Sequence, residues 1–220
     1  MIDNYNKYLE LLHSLNGKRP TLLLQACCGP CSSAVLEQLK PYFEITILYY
    51  NPNTYPETEF EKRYNEFSKL DGFKMIKIDY NHNEFLDIAE GLESEAEGGA
   101  RCYKCYELRL QKTATLAKEL SFDYFSTTLS ISPHKNAKWI NEIGISLESK
   151  LGVKYLYSDF KKKDGYKRSI EISKELGLYR QDYCGCEYSY RNQNTHWKVC
   201  IFYAITICYK QKAFHYKNNL

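Results

Sequence analysis

The run Thr21-Leu22-Leu23-Leu24-Gln25-Ala26 leads directly into Cys27-Cys28-Gly29-Pro30-Cys31, and this junction constrains the fold more than any other feature of the chain. A short, nearly all-apolar segment after Pro20 suits a parallel strand buried on both faces. The turn at Cys27–Pro30 and the helical spacing from Ser32 to Leu39 then read as a strand passing through a tight turn into a helix. In open α/β sheets, ligands bind at this carboxyl end of a strand.

The same alternation continues downstream. The spacing predicts helices over 3–15, 57–70, 84–92, 105–120, 136–150 and 165–176, and further strands over 43–50, 73–79, 123–128 and 153–157. Leu108, Ala114, Leu116 and Ala117 are expected on the inner face of the helix that follows Cys105. Strands alternating with helices of this length imply β-α-β units, hence an α/β fold whose parallel sheet carries helices on both faces. A chain of 220 residues is expected to form one such domain. Val199–Tyr209 is an apolar block between basic segments, read as a packing element.

Nine cysteines sharpen the functional reading. Seven fall in three groups: Cys27, Cys28 and Cys31; Cys102 and Cys105; Cys184 and Cys186. Cys200 and Cys208 stand alone in the tail and read as packing residues. The number is odd, and the N-terminus lacks the basic start and apolar stretch of a secretory signal, so a secreted disulfide framework is disfavoured. No apolar run reaches the ~20 residues of a membrane-spanning helix. Net charge is +3, but after Glu187 there are five basic residues and no acidic one. Residues 1–190 therefore carry a net charge of −2, and global charge does not identify a partner.

Each group suits thiolate chemistry. A helix N-terminus stabilises the thiolate over the thiol. Two half-sites at helix starts, Cys27/Cys28/Cys31 and Cys102/Cys105, are enough for four-thiolate coordination of zinc or of an iron–sulfur cluster. The C-G-C segment at Cys184–Cys186 can form a strained, labile disulfide or chelate a metal. Cys28-Gly29-Pro30-Cys31 also spells a thioredoxin-type C-G-P-C, which makes a thiol–disulfide oxidoreductase the rival reading. Cys27 and the two further cysteine pairs exceed what that mechanism needs. A structural zinc protein would explain four thiolates but not seven in three groups.

Beyond these patterns, Leu22–Ser33 resembles the opening motif of the QueH-type epoxyqueuosine reductases. The resemblance continues in family order through Tyr49-Tyr50-Asn51-Pro52-Asn53, Glu97–Tyr106, Thr127–Lys135, Ser158–Ser169 and Tyr179–Cys186. The family usually has His where this chain has Gln25, and its members end soon after the C-G-C segment. The resemblance implies an adenine-nucleotide hydrolase-like (Rossmann-like) fold over residues 1–190, with 191–220 as an extension of unknown role. It implies a cytoplasmic oxidoreductase that converts epoxyqueuosine to queuosine in the tRNA anticodon loop, with an unidentified electron donor. It further implies a 4Fe-4S cluster on Cys27, Cys28, Cys102 and Cys105 and a redox-active pair at Cys184 and Cys186. A second metal ion, iron or zinc, with Cys31, Cys184 and Cys186 as candidate ligands, is the other arrangement it leaves open. For tRNA contact the sequence offers Arg63, Arg101, Lys135, Lys138, Lys161–Lys163, Lys167, Arg168 and Arg180. Tyr103, Tyr106, Tyr166 and Tyr183 are available for base stacking.

Overall fold

A computed structural model describes residues 4–190 of the chain. It divides into two units, Met1–Arg180 and Gln181–Leu220. The expectation for Val199–Tyr209, and with it Cys200 and Cys208, lies outside the described residues.

The first unit is built on five parallel strands: β1 (Thr21–Ala26), β2 (Glu44–Tyr49), β3 (Lys74–Lys77), β4 (Tyr124–Thr127) and β5 (Lys154–Tyr155), in spatial order β3-β2-β1-β4-β5. The connections carry α1 (Asn4–Ser14), α2 (Gly29–Leu39), α3 (Glu57–Asn65), α4 (Asn83–Ala89), α5 (Ala100–Glu119), α6 (Ala137–Leu151) and α7 (Gly165–Glu175). Strand alternation sorts β1 between two cores. Leu22, Leu24 and Ala26 pack with residues of α1, α2 and α3, whereas Leu23 packs with Leu110 and Ala114 of α5 and Ile140 and Ile143 of α6. The three leucines are fully buried, each contributing about 1.5–3 kcal/mol of transfer free energy. This is the doubly wound α/β class that the alternation predicts. Chain order reverses between β1 and β4, so the crevice beyond the carboxyl end of β1 is the topological switch point.

Several elements begin or end differently from the sequence reading, each for a physical reason. The helix expected from Ser32 starts at Gly29, because Pro30 fits the first turn, where its missing N–H would have no partner anyway. The helix expected from Cys105 starts at Ala100, with Gly99 as an extended N-cap, so Cys102 and Cys105 lie within its first two turns. The helix expected over 57–70 gives way after Asn65 to a 3-10 turn, Glu66–Lys69. On α5, Leu108 and Leu116 are only half-buried. Two i,i+4 rows face inward instead: Arg101, Cys105, Arg109, Thr113 and Ala117, beside Tyr106, Leu110 and Ala114. At Gly144 an added Cβ would stand 2.4 Å from the Tyr155 ring, so the glycine is what lets α6 approach β5. Among the described residues no helix is long and apolar enough to cross a membrane.

Candidate metal and redox site

The switch point is occupied by cysteine. Cys28 is the N-cap of α2 with an extended backbone, Cys27 precedes it at the end of β1, and Cys31 sits in the first helical turn. Their sulfurs all lie within 4.8 Å of one another, with Cys27 and Cys28 Sγ 3.8 Å apart. Among the described residues no other group of three His, Cys, Asp or Glu side chains meets that spacing. Cys28 is buried, and Cys27 and Cys31 are half-buried.

Three thiols this close do not ionise independently, because negative charge on one disfavours it on its neighbours. Contacts from Cys28 and Cys31 lower the Cys27 pKa well below the usual thiol value, and the charges of Arg109 and Lys135 add to that effect. Cys28 is pushed up to about 11, chiefly by its contact with Cys27, and Cys31 is raised well above the usual value by Cys27 and Cys28. The favoured thiolate is thus Cys27, outside the C-G-P-C quartet. In thioredoxin-type exchange the attacking group is a low-pKa cysteine of the quartet itself, so this electrostatic order runs against the rival reading.

A buried polar network closes the site from the sheet side. Gln25 Nε2 donates to Ala26 O at 3.2 Å, to Tyr50 O at 3.1 Å and to Asn51 Oδ1 at 3.2 Å. Its Oε1 accepts from Thr127 Oγ1 at 2.7 Å. Asn51 Nδ2 donates to Ala26 O at 2.9 Å, while Arg109 Nη2 donates to Asn51 Oδ1 at 2.6 Å. Gln25 therefore ties the carboxyl ends of β1, β2 and β4 together. Arg63, on α3, is 1% exposed and pairs through Nε with Glu59 Oε1 at 2.8 Å. Burial disfavours its charge, but Cys28, Glu59 and Cys27 outweigh this and hold it more firmly protonated.

Cys102 and Cys105 lie on α5, which packs against β1 and β4. The Gly98 N–H donates to Cys102 Sγ at 3.2 Å, and Cys105 is buried. Neither belongs to the group of sulfurs within 4.8 Å, whereas Cys31, which the resemblance leaves outside the cluster ligands, does.

In the second unit, the C-G-C segment turns at Gly185, whose φ of +111° is a conformation that side chains other than glycine rarely adopt. Cys186 is buried and Cys184 half-buried. The Cys184 N–H donates to Ser189 Oγ at 3.2 Å and the Ser189 N–H to Cys186 Sγ at 3.4 Å. Ser189 thus bridges the pair, a role that no sequence signal marks.

The basic and aromatic residues expected to meet tRNA divide sharply. Arg63, Arg101 and Tyr106 are buried, Arg101 donating to Leu92 O at 2.8 Å and Glu93 O at 3.0 Å, so they serve the interior. Arg168 is paired with Glu37, Glu171 and Glu175. Arg180 is tied to Ser169 O and the Ser173 hydroxyl, and the Tyr103 ring meets Trp139 edge-on. Lys138, Lys162, Lys163 and Lys167 are exposed.

A doubly wound parallel sheet whose switch point holds three cysteine sulfurs close enough to share one ion defines a class: α/β proteins with a thiol group beyond β1 that could bind a metal. The donor set fits such a group, since sulfur ligands select iron–sulfur clusters and zinc over hard cations. A family model described as "Epoxyqueuosine reductase QueH" matches residues 22–192. The epoxyqueuosine reductase QueH of Streptococcus pyogenes is 42% identical over 202 residues, covering 86% of this chain and 79% of its own. That of Staphylococcus epidermidis is 41% identical over 209 residues, covering 89% and 88%, and that of Thermotoga maritima 34% over 175, covering 77% and 90%. This chain belongs to the QueH family of epoxyqueuosine reductases, which are oxidoreductases. Among solved structures, a predicted subunit of a tRNA methyltransferase from Methanocaldococcus jannaschii shares 16% identity over 70% of this chain and 76% of its own, with a TM-score of 0.48, too distant a likeness to bear on function.

Proposed function

We propose that this chain reduces epoxyqueuosine to queuosine at the anticodon wobble position of tRNA, the last step of queuosine biosynthesis, working in the cytoplasm. The observation that carries the reading is the Cys27–Cys28–Cys31 triad at the switch point of a QueH-family chain. Residues 1–190 serve as the catalytic domain, with 191–220 as an extension of unknown role. Cys27, Cys28, Cys102 and Cys105 would hold a 4Fe-4S cluster. Such a cluster, when bound, supplies electrons one at a time from a donor yet to be identified.

Converting the epoxide to an alkene consumes two electrons and two protons and releases one water. A dithiol at Cys184 and Cys186 supplies both electrons and both protons in becoming a disulfide, so epoxide plus dithiol gives alkene, disulfide and water, and an external reductant then regenerates the dithiol. In the other arrangement, Cys184 and Cys186 would be ligands of an iron or zinc ion, whose chemistry is to polarise the epoxide oxygen. Burial of Cys28 and of the Gln25–Asn51 network keeps water from one side of the triad, and Arg109 and Lys135 favour the Cys27 thiolate. Lys138, beside Glu142 at 3.8 Å, and Lys162, Lys163 and Lys167 are exposed and would meet the phosphate backbone.

The test is turnover. Anaerobically prepared, iron-loaded protein is incubated with tRNA carrying epoxyqueuosine and a chemical reductant, and digested nucleosides are analysed by mass spectrometry. Queuosine is the expected product, and its absence with iron-loaded protein would overturn the reading.

A further inference from the structure

Arg109 is a guanidinium only 2% exposed, and taking such an ion out of water costs several kcal/mol unless fixed partners and opposite charge compensate. It stands one turn beyond Cys105 on α5. Its Nη2 donates to Asn51 Oδ1 at 2.6 Å, and the same oxygen accepts Gln25 Nε2 at 3.2 Å. Asn51 Nδ2 donates at 2.9 Å to the carbonyl of Ala26, the residue immediately before Cys27. Asn51 is itself 1% exposed, and its amide is engaged at both ends. A flipped amide would turn its donors on the guanidinium and on Gln25, so its orientation is fixed. The guanidinium is thereby locked to the backbone that presents Cys27. Asn51, a neutral amide, orients the guanidinium through Oδ1 and adds no opposing charge of its own. The charge acts on Cys27, and that of Arg63 acts on Cys28.

We propose that Arg109, aimed by Asn51, is the positioning cation of the cysteine site, offsetting negative charge on the metal–thiolate group and raising its reduction potential. The inference rests on the iron–sulfur reading given above. An added electron makes a thiolate-bound group more negative, and a fixed cation in a low-dielectric interior stabilises that reduced form. A positively charged residue so placed lets a weaker reductant load the site.

Redox titration of the anaerobically iron-loaded protein, followed by its visible absorbance, reads the potential without tRNA. Arg109→Gln is expected to shift the equilibrium at least about tenfold toward the oxidised form, a fall of about 59 mV for one electron. Arg109→Lys keeps the charge and should restore most of the difference. Asn51→Asp keeps the size of the side chain but sets a carboxylate on the guanidinium, and should lower the potential in the same direction. If Arg109→Gln does not accumulate as folded protein, Arg109→Met, a neutral side chain of similar length, is read in its place, because Asn51→Asp adds a charge of its own and removes the donor to Ala26 O. Unchanged potentials overturn the proposal, as does an equal fall in the Gln and Lys variants, which would make packing rather than charge the agent. Protein that takes up no iron under iron-replete anaerobic conditions overturns the cofactor reading itself, whereas loaded protein with unmoved potentials overturns only the role of Arg109.

Discussion

Thr127 Oγ1 donates a 2.7 Å hydrogen bond to Gln25 Oε1, across residues that the parallel register sets side by side on β4 and β1. Both side chains are fully buried. With the three bonds donated by Gln25 Nε2, this contact makes one glutamine the fastener of three strand ends directly beneath the cysteine triad. Thr127→Val preserves shape but leaves the Gln25 carbonyl short of a donor and the Leu129 N–H, which Thr127 Oγ1 accepts at 3.2 Å, short of an acceptor. Leaving a buried acceptor unsatisfied costs about 1–3 kcal/mol, and chemical denaturation of the metal-free protein should show a loss of that size. A loss no larger than that of an exposed Thr→Val substitution would mean the strand ends do not depend on this bond.

The cluster reading predicts brown protein. Anaerobic preparation should give about four irons and four sulfides per chain, as a four-thiolate cubane requires. Serine at Cys27, Cys28, Cys102 or Cys105 should each abolish most of the visible absorbance. Because the structure gathers Cys31 with Cys27 and Cys28, Cys31→Ser is the discriminating fifth variant, and it should keep the absorbance. Its bleaching, with retention in Cys102→Ser, would exchange those two residues in the ligand set. Colourless, zinc-containing protein from iron-replete anaerobic cells would favour the structural zinc reading.

Insulin reduction tests the C-G-P-C quartet. Since neighbouring thiols push both Cys28 and Cys31 up, metal-free protein should reduce insulin disulfides negligibly. Robust turnover that disappears in Cys31→Ser would restore the thiol–disulfide exchange reading.

Asp123 connects the starts of β1 and β4: its Oδ2 accepts from the Thr21 N–H and hydroxyl, both at 2.9 Å. These donors hold its carboxyl below the usual carboxylate value. A depressed native pKa contributes stability that is complete above the unfolded value, near 4, and is lost as pH falls through the native one. Asp123→Asn should therefore cost about 1 kcal/mol or less at pH 7, because the site is exposed. The difference from the parent protein should shrink below about pH 4. A difference that persists unchanged into acid would assign it to packing instead of charge.

The sheet was legible because its signal is apolar and local. Thr21–Ala26 reads as β1 to the residue, and β-α-β alternation yields the doubly wound class. The helix starts were less legible, since Gly29-Pro30 and Gly98-Gly99 look like breakers until their N-terminal roles are seen. Cysteine spacing marked every group but not its neighbours. A hydrophobic reading of α5 places Ala114 and Ala117 inward correctly and Leu108 and Leu116 too deep, and it passes over Arg109 because the row Arg101, Cys105 and Arg109, which turns inward at i,i+4 spacing, is polar. That spacing was present in the sequence, but only the placement of α5 against β1 distinguishes a buried polar row from a solvated one. The same limit hid the burial of Arg63, whose charged neighbours on α3 resemble an ordinary exposed helix face.

The C-G-C segment provides the test that separates chemistry from cluster assembly. Cys184 and Cys186 exceed the four thiolates a cubane needs, and Gly185 between them turns the chain at φ +111°. Cys184→Ser and Cys186→Ser proteins should keep the cluster absorbance yet fail to convert epoxyqueuosine in tRNA, as read by mass spectrometry with a chemical reductant supplied. Tyr183→Phe should be far milder, because the Tyr183 ring packs against Tyr190 and loss of the phenol leaves that contact and both sulfurs in place. Gly185→Ala adds a control on geometry. It leaves both sulfurs present but strains the positive φ by about 1–3 kcal/mol, and should reduce turnover while sparing the absorbance. Loss of absorbance in the serine variants would move these residues into the cluster's ligand set. Full turnover in both would make the segment structural and remove the dithiol from the proposed reaction.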